Sequence, residues 1–258
     1  MLREDQSTTL LSRGAFTPAG AASVRPRVSV VIPTLNEERN VAWVLERLPK
    51  IVDEVLLVDG RSTDRTVEIA RSVRPDIRVV LETAPGKGAA LRAGFAAAAG
   101  EYIVMIDADG SMDPGEIVAF VDALQSGCDF VKGSRFAPGG GTSDISPVRK
   151  LGNDALRIAV NLLYRTNFTD LCYGFIGFRR ERLAALRLAS QGFEIETEMI
   201  VRAVTASLRI GEVASFEAKR RSGESNLVAW RDGRRALATL LRGRLVLPSS
   251  PVTTRPAR

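Results

Sequence analysis

Short hydrophobic runs and longer amphipathic stretches alternate along the chain from residue 28 onward. Runs rich in β-branched residues predict five strands, at 28–32, 54–59, 77–82, 101–107 and 129–135. Between them apolar residues recur at helical spacing, as in the stretch 39–48. Strands that alternate with helices form βαβ units. The pattern therefore predicts an α/β fold whose mainly parallel central sheet carries helices on both faces.

Three polar turns follow strands of this predicted sheet. Their sequences are P-T-L-N-E at 33–37, D-G-R-S-T-D at 59–64 and D-A-D-G-S at 107–111. Each alone is explained by turn chemistry, because Asp, Asn, Gly and Ser favour turns. Parallel strands joined by right-handed crossovers end along one edge of the sheet, where ligands bind. Three such turns on one edge therefore favour a functional site.

The D-A-D turn is the most informative of the three. Asp107 and Asp109 are two residues apart at the end of a strand, so both side chains project to the same side. The two carboxylates repel each other unless a positive charge lies between them. Oxygen ligands suit Mg²⁺ or Mn²⁺, which bridge to substrate phosphates, and Ser111 continues the spacing as a third oxygen. The motif predicts a metal-bound diphosphate.

Composition narrows the chemistry further. A chain of 258 residues that is 45% hydrophobic and 26% charged is typical of a globular protein with a sizeable core. It has no histidine, which excludes histidine bases, histidine metal ligands and Ser-His-Asp sets. Its two cysteines lack the C-x-x-C spacing of a structural zinc site. Any acid–base catalysis or metal binding in this protein is therefore expected to use carboxylate side chains.

The net charge of +6 is unevenly distributed, since ten Lys or Arg residues but only two acids lie between Lys219 and the C-terminus. A basic end suggests an anionic partner, such as a phosphate-bearing substrate, a membrane surface or nucleic acid. The positive residues stand in small groups with few aromatic residues to stack bases, so no nucleic-acid partner is expected.

The ends of the chain differ from its middle. Residues 1–26 lack the apolar core of a signal peptide and predict a disordered tail. No apolar window is long enough to span a bilayer, so a cytoplasmic location is expected. The segment 226–258 is basic and amphipathic, and either lies on the inner face of the membrane or packs as a C-terminal helix.

One internal loop is also distinctive. The loop 136–147 is rich in glycine and predicts a mobile lid.

Seven motifs, covering about residues 28–230, occur in the order seen in family-two inverting glycosyltransferases. They are V-S-V-V-I-P-T-L-N-E, V-D-G-R-S-T-D, G-K-G-A-A-L-R-A-G, D-A-D-G-S, G-S-R, D-L-C-Y-G-F and R-R-S-G-E-S-N-L. The chain most resembles the dolichol-phosphate mannose synthases and bacterial polyprenyl-phosphate glycosyltransferases. The resemblance implies a glycosyltransferase-A fold for a catalytic domain at 27–225. It also implies a UDP- or GDP-sugar donor and a divalent cation, Mg²⁺ or Mn²⁺.

The resemblance also implies donor-site roles, position by position. The residues it places around the nucleotide are Pro33, Thr34, Asn36, Glu37, Asp59 (facing the base), Lys87 and Gly88. The implied metal ligands are Asp107 and Asp109, with Ser111 at the third position. The implied phosphate contacts are Arg135, Arg149 and Arg220, and arginine forks suit phosphate oxygens.

The acceptor stays open between two classes. A polyprenyl phosphate is already an anionic nucleophile and needs no strong base, whereas a sugar or alcohol hydroxyl needs a carboxylate base. The candidate acids are Asp170, Glu196 and Glu198. The basic run 219–221 favours the phosphate acceptor. The oligomeric state is not fixed by the sequence.

Three positions depart from the family pattern. Gly60 replaces an aspartate, Arg61 replaces a glycine and Gly110 replaces a leucine. A nucleotidyltransferase is disfavoured, because P-T-L-N-E stands where such enzymes carry a glycine-rich loop. A non-catalytic, membrane-associated scaffold is disfavoured by the intact D-A-D turn and the arginines.

Overall fold

The structure, a computed structural model, describes residues 25–223, 229–244 and 255–256. Most of the tail predicted at 1–26, and parts of the segment 226–258, lie outside these ranges. The strands are β1 (Val28–Thr34), β2 (Glu54–Asp59), β3 (Arg78–Leu81), β4 (Tyr102–Met105), β5 (Phe130–Ser134), β6 (Gly141–Thr142), β7 (Ile176–Arg179), β8 (Ile210–Ala214), β9 (Phe216–Glu217) and β10 (Arg255–Pro256). The helices are α1 (Val41–Glu46), α2 (Thr66–Val73), α3 (Lys87–Ala97), α4 (Ile117–Gln125), α5 (Pro147–Tyr164), α6 (Leu183–Leu186), α7 (Ile195–Thr205) and α8 (Ala229–Arg244).

Eight strands form the central sheet, in the order β10-β8-β5-β7-β4-β1-β2-β3. Neighbouring strands are parallel except at β7, which runs antiparallel to both β4 and β5. All five predicted strands belong to this sheet. The prediction of an α/β fold with a mainly parallel sheet is confirmed.

The sheet is buried on both faces, because successive side chains of each strand point to opposite sides. On β1, Val30 packs into a hydrophobic cluster with Val44 of α1. Its neighbour Val31 belongs to the opposite cluster, with Leu91 and Phe95 of α3. Helices therefore cover both faces, and the polar strand ends are left at the sheet's edge.

Helix α5 begins where the sequence supplies a cap and a proline. The Ser146 hydroxyl accepts a hydrogen bond from the Arg149 backbone N–H at 3.3 Å, and Pro147 stands at the first helical position. The helix continues for 18 residues and leaves large apolar side chains exposed along its outer side. It forms one wall of each of two cavities described below.

Helix α8, the described part of the predicted amphipathic segment, packs on the domain. Leu240 is fully buried, and its carbonyl accepts a 2.6 Å hydrogen bond from the Tyr164 hydroxyl. A Cβ added at Gly243 would lie only 2.2 Å from Val201 Cγ1, so the close approach of α8 to α7 requires glycine at this position. Other positions of the same helix are exposed, among them Trp230 and Leu241. Within the described ranges, no helix is long and apolar enough to cross a membrane.

The loop 136–147 is anchored rather than free. Its strand β6 pairs with β9 in a second, two-stranded sheet. The Ser143 N–H donates to the Glu217 carbonyl at 2.9 Å, and the Thr142 hydroxyl donates to the Glu217 carboxylate at 2.7 Å. The prediction of a mobile lid is not supported by these contacts, which make the loop part of the wall of the cleft.

Candidate active site

A cavity of about 360 Å³ lies next to the carboxyl end of β4, a size typical of small-molecule sites. Seven residues predicted from the sequence line it together, namely Lys87, Asp107, Asp109, Ser111, Arg149, Glu196 and Arg220. They come from turns and helices far apart in the chain. The fold therefore assembles the predicted carboxylate turn with three of the predicted cations.

The paired aspartates reach this cleft. The Asp107 side chain is 25% exposed, and Lys87 Nζ lies 2.6 Å from its Oδ1. The Asp109 side chain is 15% exposed, and Arg220 Nη2 lies 3.2 Å from its Oδ2. The Ser111 N–H donates to Asp109 Oδ1 at 2.9 Å. Each carboxylate thus faces the cavity beside one cationic side chain.

The electrostatics of the pair suit a divalent cation. Burial raises the pKa of Asp107 to about 6, and repulsion from Asp109 and Glu196 adds to this rise while Lys87 opposes it. Burial alone would lower the pKa of Lys87, but Asp107 and Glu196 outweigh it and raise that pKa above its ordinary value. Among the described residues, four carboxylates, those of Glu37, Asp107, Asp109 and Glu196, contact only two cations here, Lys87 and Arg220. A divalent cation would offset this excess of negative charge.

The donor set also fits Mg²⁺ or Mn²⁺. No group of three or more His, Cys, Asp or Glu side chains forms a ready metal site in the part of the chain that the structure describes. Asp107, Asp109 and the Ser111 hydroxyl would supply three oxygen ligands, and an octahedral ion would take its remaining ligands from water and phosphate oxygens. Mg²⁺ is usually bound in this way, by one or two carboxylates and substrate phosphates.

Lys87 ties α3 to α7 across the cleft. Its Nζ lies 2.7 Å from Glu196 Oε1, in addition to its contact with Asp107. A Cβ added at Gly174 would lie 2.8 Å from that Glu196 oxygen and 3.0 Å from Lys87 Nζ. The glycine of the D-L-C-Y-G-F motif therefore makes room for this ion pair.

The turns that follow β1 and β2 are joined by side-chain hydrogen bonds. Asn36, at φ 58°, accepts a bond from the Thr63 N–H through its side-chain oxygen at 2.8 Å. The Asn36 N–H donates to the Ser62 hydroxyl at 2.9 Å, and the Ser62 N–H donates to Asp59 at 3.1 Å. Asn tolerates this left-handed conformation better than most residues. These contacts hold Asn36 and Asp59 at the same sheet edge.

Glu37 connects the same edge to the carboxylate pair. Its Oε1 lies 2.8 Å from Arg220 Nη1, and its Oε2 accepts a 2.6 Å hydrogen bond from Asn40. Arg220 therefore bridges Glu37 and Asp109. Pro33 and Thr34 end strand β1, and the Thr34 hydroxyl donates to the Val58 carbonyl at 3.3 Å, inside the sheet.

The structure corrects the predicted roles of Arg135 and Asp170. Their side chains are 2% and 0% exposed, and the Arg135 fork meets both Asp170 oxygens at 2.7 and 2.9 Å. Burial raises the pKa of Asp170, but Lys132 and Arg135 outweigh it and hold that pKa below its ordinary value. The whole Arg135 residue is 3% exposed, and its donors already meet Asp170, Glu217 and the Cys172 carbonyl, so contact with a substrate phosphate would require these bonds to be exchanged. Asp170 is an unexposed, ion-paired carboxylate that is not placed to accept a proton.

The family assignment follows from comparison with known proteins. Residues 29–187 match the family Glycosyl transferase family 2. The chain belongs to glycosyltransferase family 2. It is 32% identical to glycosyltransferase AglJ of Haloferax volcanii over 212 residues, which cover 80% of this chain and 68% of AglJ. It is 34% identical to the uncharacterized glycosyltransferase Rv0539 of Mycobacterium tuberculosis over 200 residues, 78% of this chain and 89% of that protein.

Solved structures agree. The chain is similar to glucosyl-3-phosphoglycerate synthase from Mycobacterium tuberculosis in complex with Mn²⁺, UDP-glucose and phosphoglyceric acid. The TM-score is 0.66 at 25% identity, over 87% of this chain and 82% of that one. A structure of the same synthase with Mg²⁺ and UDP gives a TM-score of 0.63 at 26% identity, over 87% and 81%. The predicted glycosyltransferase-A fold is confirmed, and the protein is a glycosyltransferase that acts with a nucleotide-sugar donor.

Two further predicted residues of this glycosyltransferase lie away from the cleft. Glu198 accepts hydrogen bonds from the backbone N–H groups of Ala189 and Ser190 at 3.0 and 2.8 Å and lines a different cavity. Residues two apart on a helix do not share a face, so Glu196 and Glu198 diverge. The Gly88 N–H donates to the Gln191 carbonyl at 2.7 Å. Both residues hold the segment 189–191, and neither lines the cavity beside the paired aspartates.

Sequence reasoning about this glycosyltransferase missed Glu217. Its Oε2 lies 3.0 Å from Arg135 Nη1, its Oε1 lies 3.8 Å from Arg149 Nη2, and it lines the cleft. Arg149 also pairs with Asp144 at 3.1 Å. Glu217 belongs to no recognisable motif, so only the fold of strand β9 reveals its position.

The departure at Gly110 has a local reason. Its φ of +72° lies in the left-handed region, and an added Cβ would lie 2.6 Å from Arg221 Cδ. The Arg221 guanidinium lies 5.0 Å from the Trp43 ring centroid, within range of a cation–π contact. Glycine at this position lets the basic run 219–221 approach the carboxylate turn.

Proposed function

We propose that this glycosyltransferase moves a sugar from a UDP- or GDP-sugar to a polyprenyl phosphate, as a peripheral enzyme on the inner face of the membrane. One observation carries the choice of acceptor. Glu196, the predicted acid that reaches the cleft, is ion-paired with Lys87 at 2.7 Å. An acceptor that is already anionic needs no carboxylate to remove its proton.

The donor end of the cleft is built around the paired aspartates. Asp107 and Asp109, with Ser111, would hold Mg²⁺ or Mn²⁺. When bound, the cation stabilises the negative charge that develops on the leaving nucleoside diphosphate. Lys87 and Arg220 already contact these carboxylates, so both lie close enough to donate to diphosphate oxygens. The Mn²⁺, Mg²⁺ and UDP bound by the similar synthase support this assignment.

Arg149 is the proposed contact for the acceptor phosphate. Its side chain is 33% exposed and lines the cleft, between Asp144 and Glu217. A phosphate oxygen of the acceptor attacks the anomeric carbon, a new carbon–oxygen bond forms, and the bond to the diphosphate breaks on the opposite side. Arg149 and Arg220 would hold the two phosphate groups close despite their repulsion.

Contact with the membrane is proposed for the outer sides of α5 and α8. The exposed large apolar side chains there are Val148, Leu151, Ile158, Leu162, Trp230, Leu237 and Leu241. Arg231 and Arg235 of α8 are each about half exposed on the same helix. Apolar side chains bordered by arginines are typical of helices that lie on an anionic membrane surface.

The acceptor is tested with a panel of UDP- and GDP-sugars and Mn²⁺, offered with polyprenyl phosphate and separately with saccharide or alcohol acceptors. Product with the polyprenyl phosphate is expected, and product only with hydroxyl acceptors would contradict the proposal. Glu196→Gln adds a second criterion. We expect a loss of kcat under about tenfold, because a catalytic base would contribute about 100- to 10,000-fold.

Membrane contact is tested by co-sedimentation with anionic vesicles. Removal of α8 would expose the packed core around Leu240, so substitutions are preferable to a deletion. We expect the double variant Leu151→Ser and Trp230→Ser to bind at least about tenfold more weakly than the parent chain, since apolar burial drives such binding. Leu81→Ser is the matched control, because Leu81 is exposed on the far edge strand β3. Equal binding by all three proteins would exclude this surface.

A further inference from the structure

A second cavity, of about 540 Å³, lies between α5 and α8. We propose that this groove holds the apolar chain of the acceptor and leads it from the protein surface to the catalytic cleft. The inference rests on the proposed function, because it assigns a binding site to the lipid part of that acceptor. Most of the groove's lining is apolar, including Leu156, Leu237 and Trp230.

The groove is continuous with the cleft at its inner end. Arg149, Cys172, Phe193 and Glu196 line both cavities. Arg149 is the proposed phosphate contact, so a lipid whose phosphate lies at Arg149 has its chain directed into the groove. The charged head and the apolar chain of one molecule are thus matched by adjoining polar and apolar surfaces.

The groove is open to the surface at its outer end. Val148, Leu151 and Trp230 line it, and their side chains are 72%, 72% and 78% exposed. These residues belong to the proposed membrane-contact surface. An acceptor chain anchored in a bilayer could therefore enter the groove without first crossing a polar surface, which would be unfavourable.

Two glycines keep the groove open. Gly152 of α5 and Gly233 of α8 both line it, and a Cβ added at either position would meet no atom within 4 Å. Glycine within a helix is destabilising, so neither position is explained by helix formation. The free space beside both glycines instead offers room for a ligand. It also allows the groove to be filled by substitution without a clash.

The first experiment combines a blocked groove with acceptors of different chain length. Full-length protein is assayed with isopentenyl, farnesyl and geranylgeranyl phosphates in detergent, as the parent chain and as Gly152→Leu. For the parent we expect KM to fall about tenfold or more with increasing length, since each buried methylene strengthens binding. For Gly152→Leu we expect a KM for geranylgeranyl phosphate at least about tenfold higher. Its kcat and its KM for isopentenyl phosphate should be unchanged.

Two variants control for other effects of the substitution. Gly152→Ala removes the helix glycine but fills little of the groove, so its KM for geranylgeranyl phosphate should rise much less than that of Gly152→Leu. Leu81→Phe adds apolar volume at an exposed position of the edge strand β3, outside the groove lining, and should leave KM unchanged. If Gly152→Leu matched these controls, or if KM did not depend on chain length, the groove assignment would be overturned.

A binding measurement gives a readout independent of turnover. The chain has two tryptophans, so Trp43→Phe leaves Trp230 as the single tryptophan. We expect an alkyl phosphate brominated along its chain to quench Trp230 fluorescence with saturation, and Gly152→Leu to weaken that binding about tenfold. Unchanged saturable quenching in Gly152→Leu would contradict the inference.

The two proposals fail in different ways. If the parent chain transfers sugar to soluble hydroxyl acceptors but to no prenyl phosphate, the proposed function fails and this inference fails with it. If prenyl phosphates are good acceptors and the blocked groove changes neither KM nor quenching, the groove assignment alone is wrong.

Discussion

Two clusters of opposite charges lie close together in the fold, and they differ in burial. Arg135, Asp170 and Glu217 form one cluster, whose side chains are no more than 8% exposed. Lys87 with Asp107 and Glu196 forms the other, whose side chains are between 10% and 25% exposed. Both combine carboxylates with a cation at distances of 2.6 to 3.0 Å.

The difference separates a structural cluster from a functional one. A fully buried ion pair is already desolvated and satisfied, so breaking it is strongly unfavourable and its partners stay fixed. A partly exposed cluster can exchange contacts when a charged ligand arrives. Glu217 links the two regions, because it also approaches Arg149 in the cleft. The buried cluster therefore supports the cleft wall, and in the proposed function the exposed one meets the ligand.

The largest expected effect comes from breaking the buried cluster. Asp170→Asn leaves Arg135 buried without its main counter-charge, which should lower the free energy of unfolding by about 3–5 kcal/mol. For a chain of this size the melting temperature should fall by roughly 10 °C. Calorimetry or urea unfolding measures the change.

A matched control distinguishes burial from charge. Asp154 pairs with Lys150 at 2.8 Å on the exposed side of α5. Asp154→Asn should change stability by less than about 1 kcal/mol, as surface pairs do. Equal losses in the two variants would show that burial is not what separates the clusters.

The next largest effect should be on activity rather than stability. Asp107→Asn replaces one carboxylate oxygen of the proposed metal site with an amide nitrogen and removes the negative charge. It should lower kcat by about 100- to 1,000-fold, the usual effect of losing a group that stabilises developing charge. The loss of stability should be smaller than in Asp170→Asn, because Lys87 keeps its contact with Glu196 and the repulsion of Asp107 by Asp109 and Glu196 is removed. A large loss of stability with normal kcat would reverse the roles of the two clusters.

A smaller effect is expected from Arg149→Gln. A charge-assisted hydrogen bond is worth about 1.5–3 kcal/mol, so KM for the phosphate acceptor should rise about 10- to 100-fold. Lys150→Gln is the neighbouring control, since Lys150 points to Asp154 rather than to the cleft. Steady-state kinetics with varied acceptor measures both, and an equal rise in both variants would exclude a specific phosphate contact.

The smallest expected effect is a change in how the stability of the protein depends on pH. The pKa of Asp170 is lowered in the folded protein relative to an unfolded value of about 3.9. Its ion pair therefore contributes stability above that unfolded value and loses it as pH falls through the folded pKa. The stability gap between the parent chain and Asp170→Asn should be constant near neutral pH and narrow in acid. A gap that widens in acid would contradict the lowered pKa.

The sequence predicted most of the sheet because its strands are long hydrophobic runs. Strands β7, β8 and β10 of the central sheet were not predicted. Strand β8 has a glycine and a glutamate among its five residues, Ile210–Ala214. Strand β7 has only four residues, Ile176–Arg179, and ends with an arginine. It is also the antiparallel strand among the central ones, so the alternation of strands and helices does not signal it. The sequence also gave no indication that helices α5 and α8 would pack beside each other, because they lie far apart in the chain.

The sequence identified the types of residue in the candidate site, but it did not indicate which of them are buried. The D-A-D turn and the lysine of G-K-G were correctly brought to one cleft, because strand ends converge whatever their side-chain contacts. Arg135 and Asp170 carry the same chemistry, yet the fold buries them against each other. Which of two charged clusters keeps contact with solvent is decided by packing, and a single sequence does not record it.

The central claim is that Asp107 and Asp109 bind a divalent cation together with a nucleoside diphosphate. The direct test is the melting temperature with Mn²⁺ and UDP, and with Mn²⁺ and GDP, for the parent chain and Asp109→Ala. A ligand at about 100 times its Kd adds roughly 2.7 kcal/mol, so the parent should gain several degrees with at least one nucleotide. Asp109→Ala should fold normally and gain nothing. An equal rise in Asp109→Ala, or no rise in the parent with either nucleotide, would contradict the account.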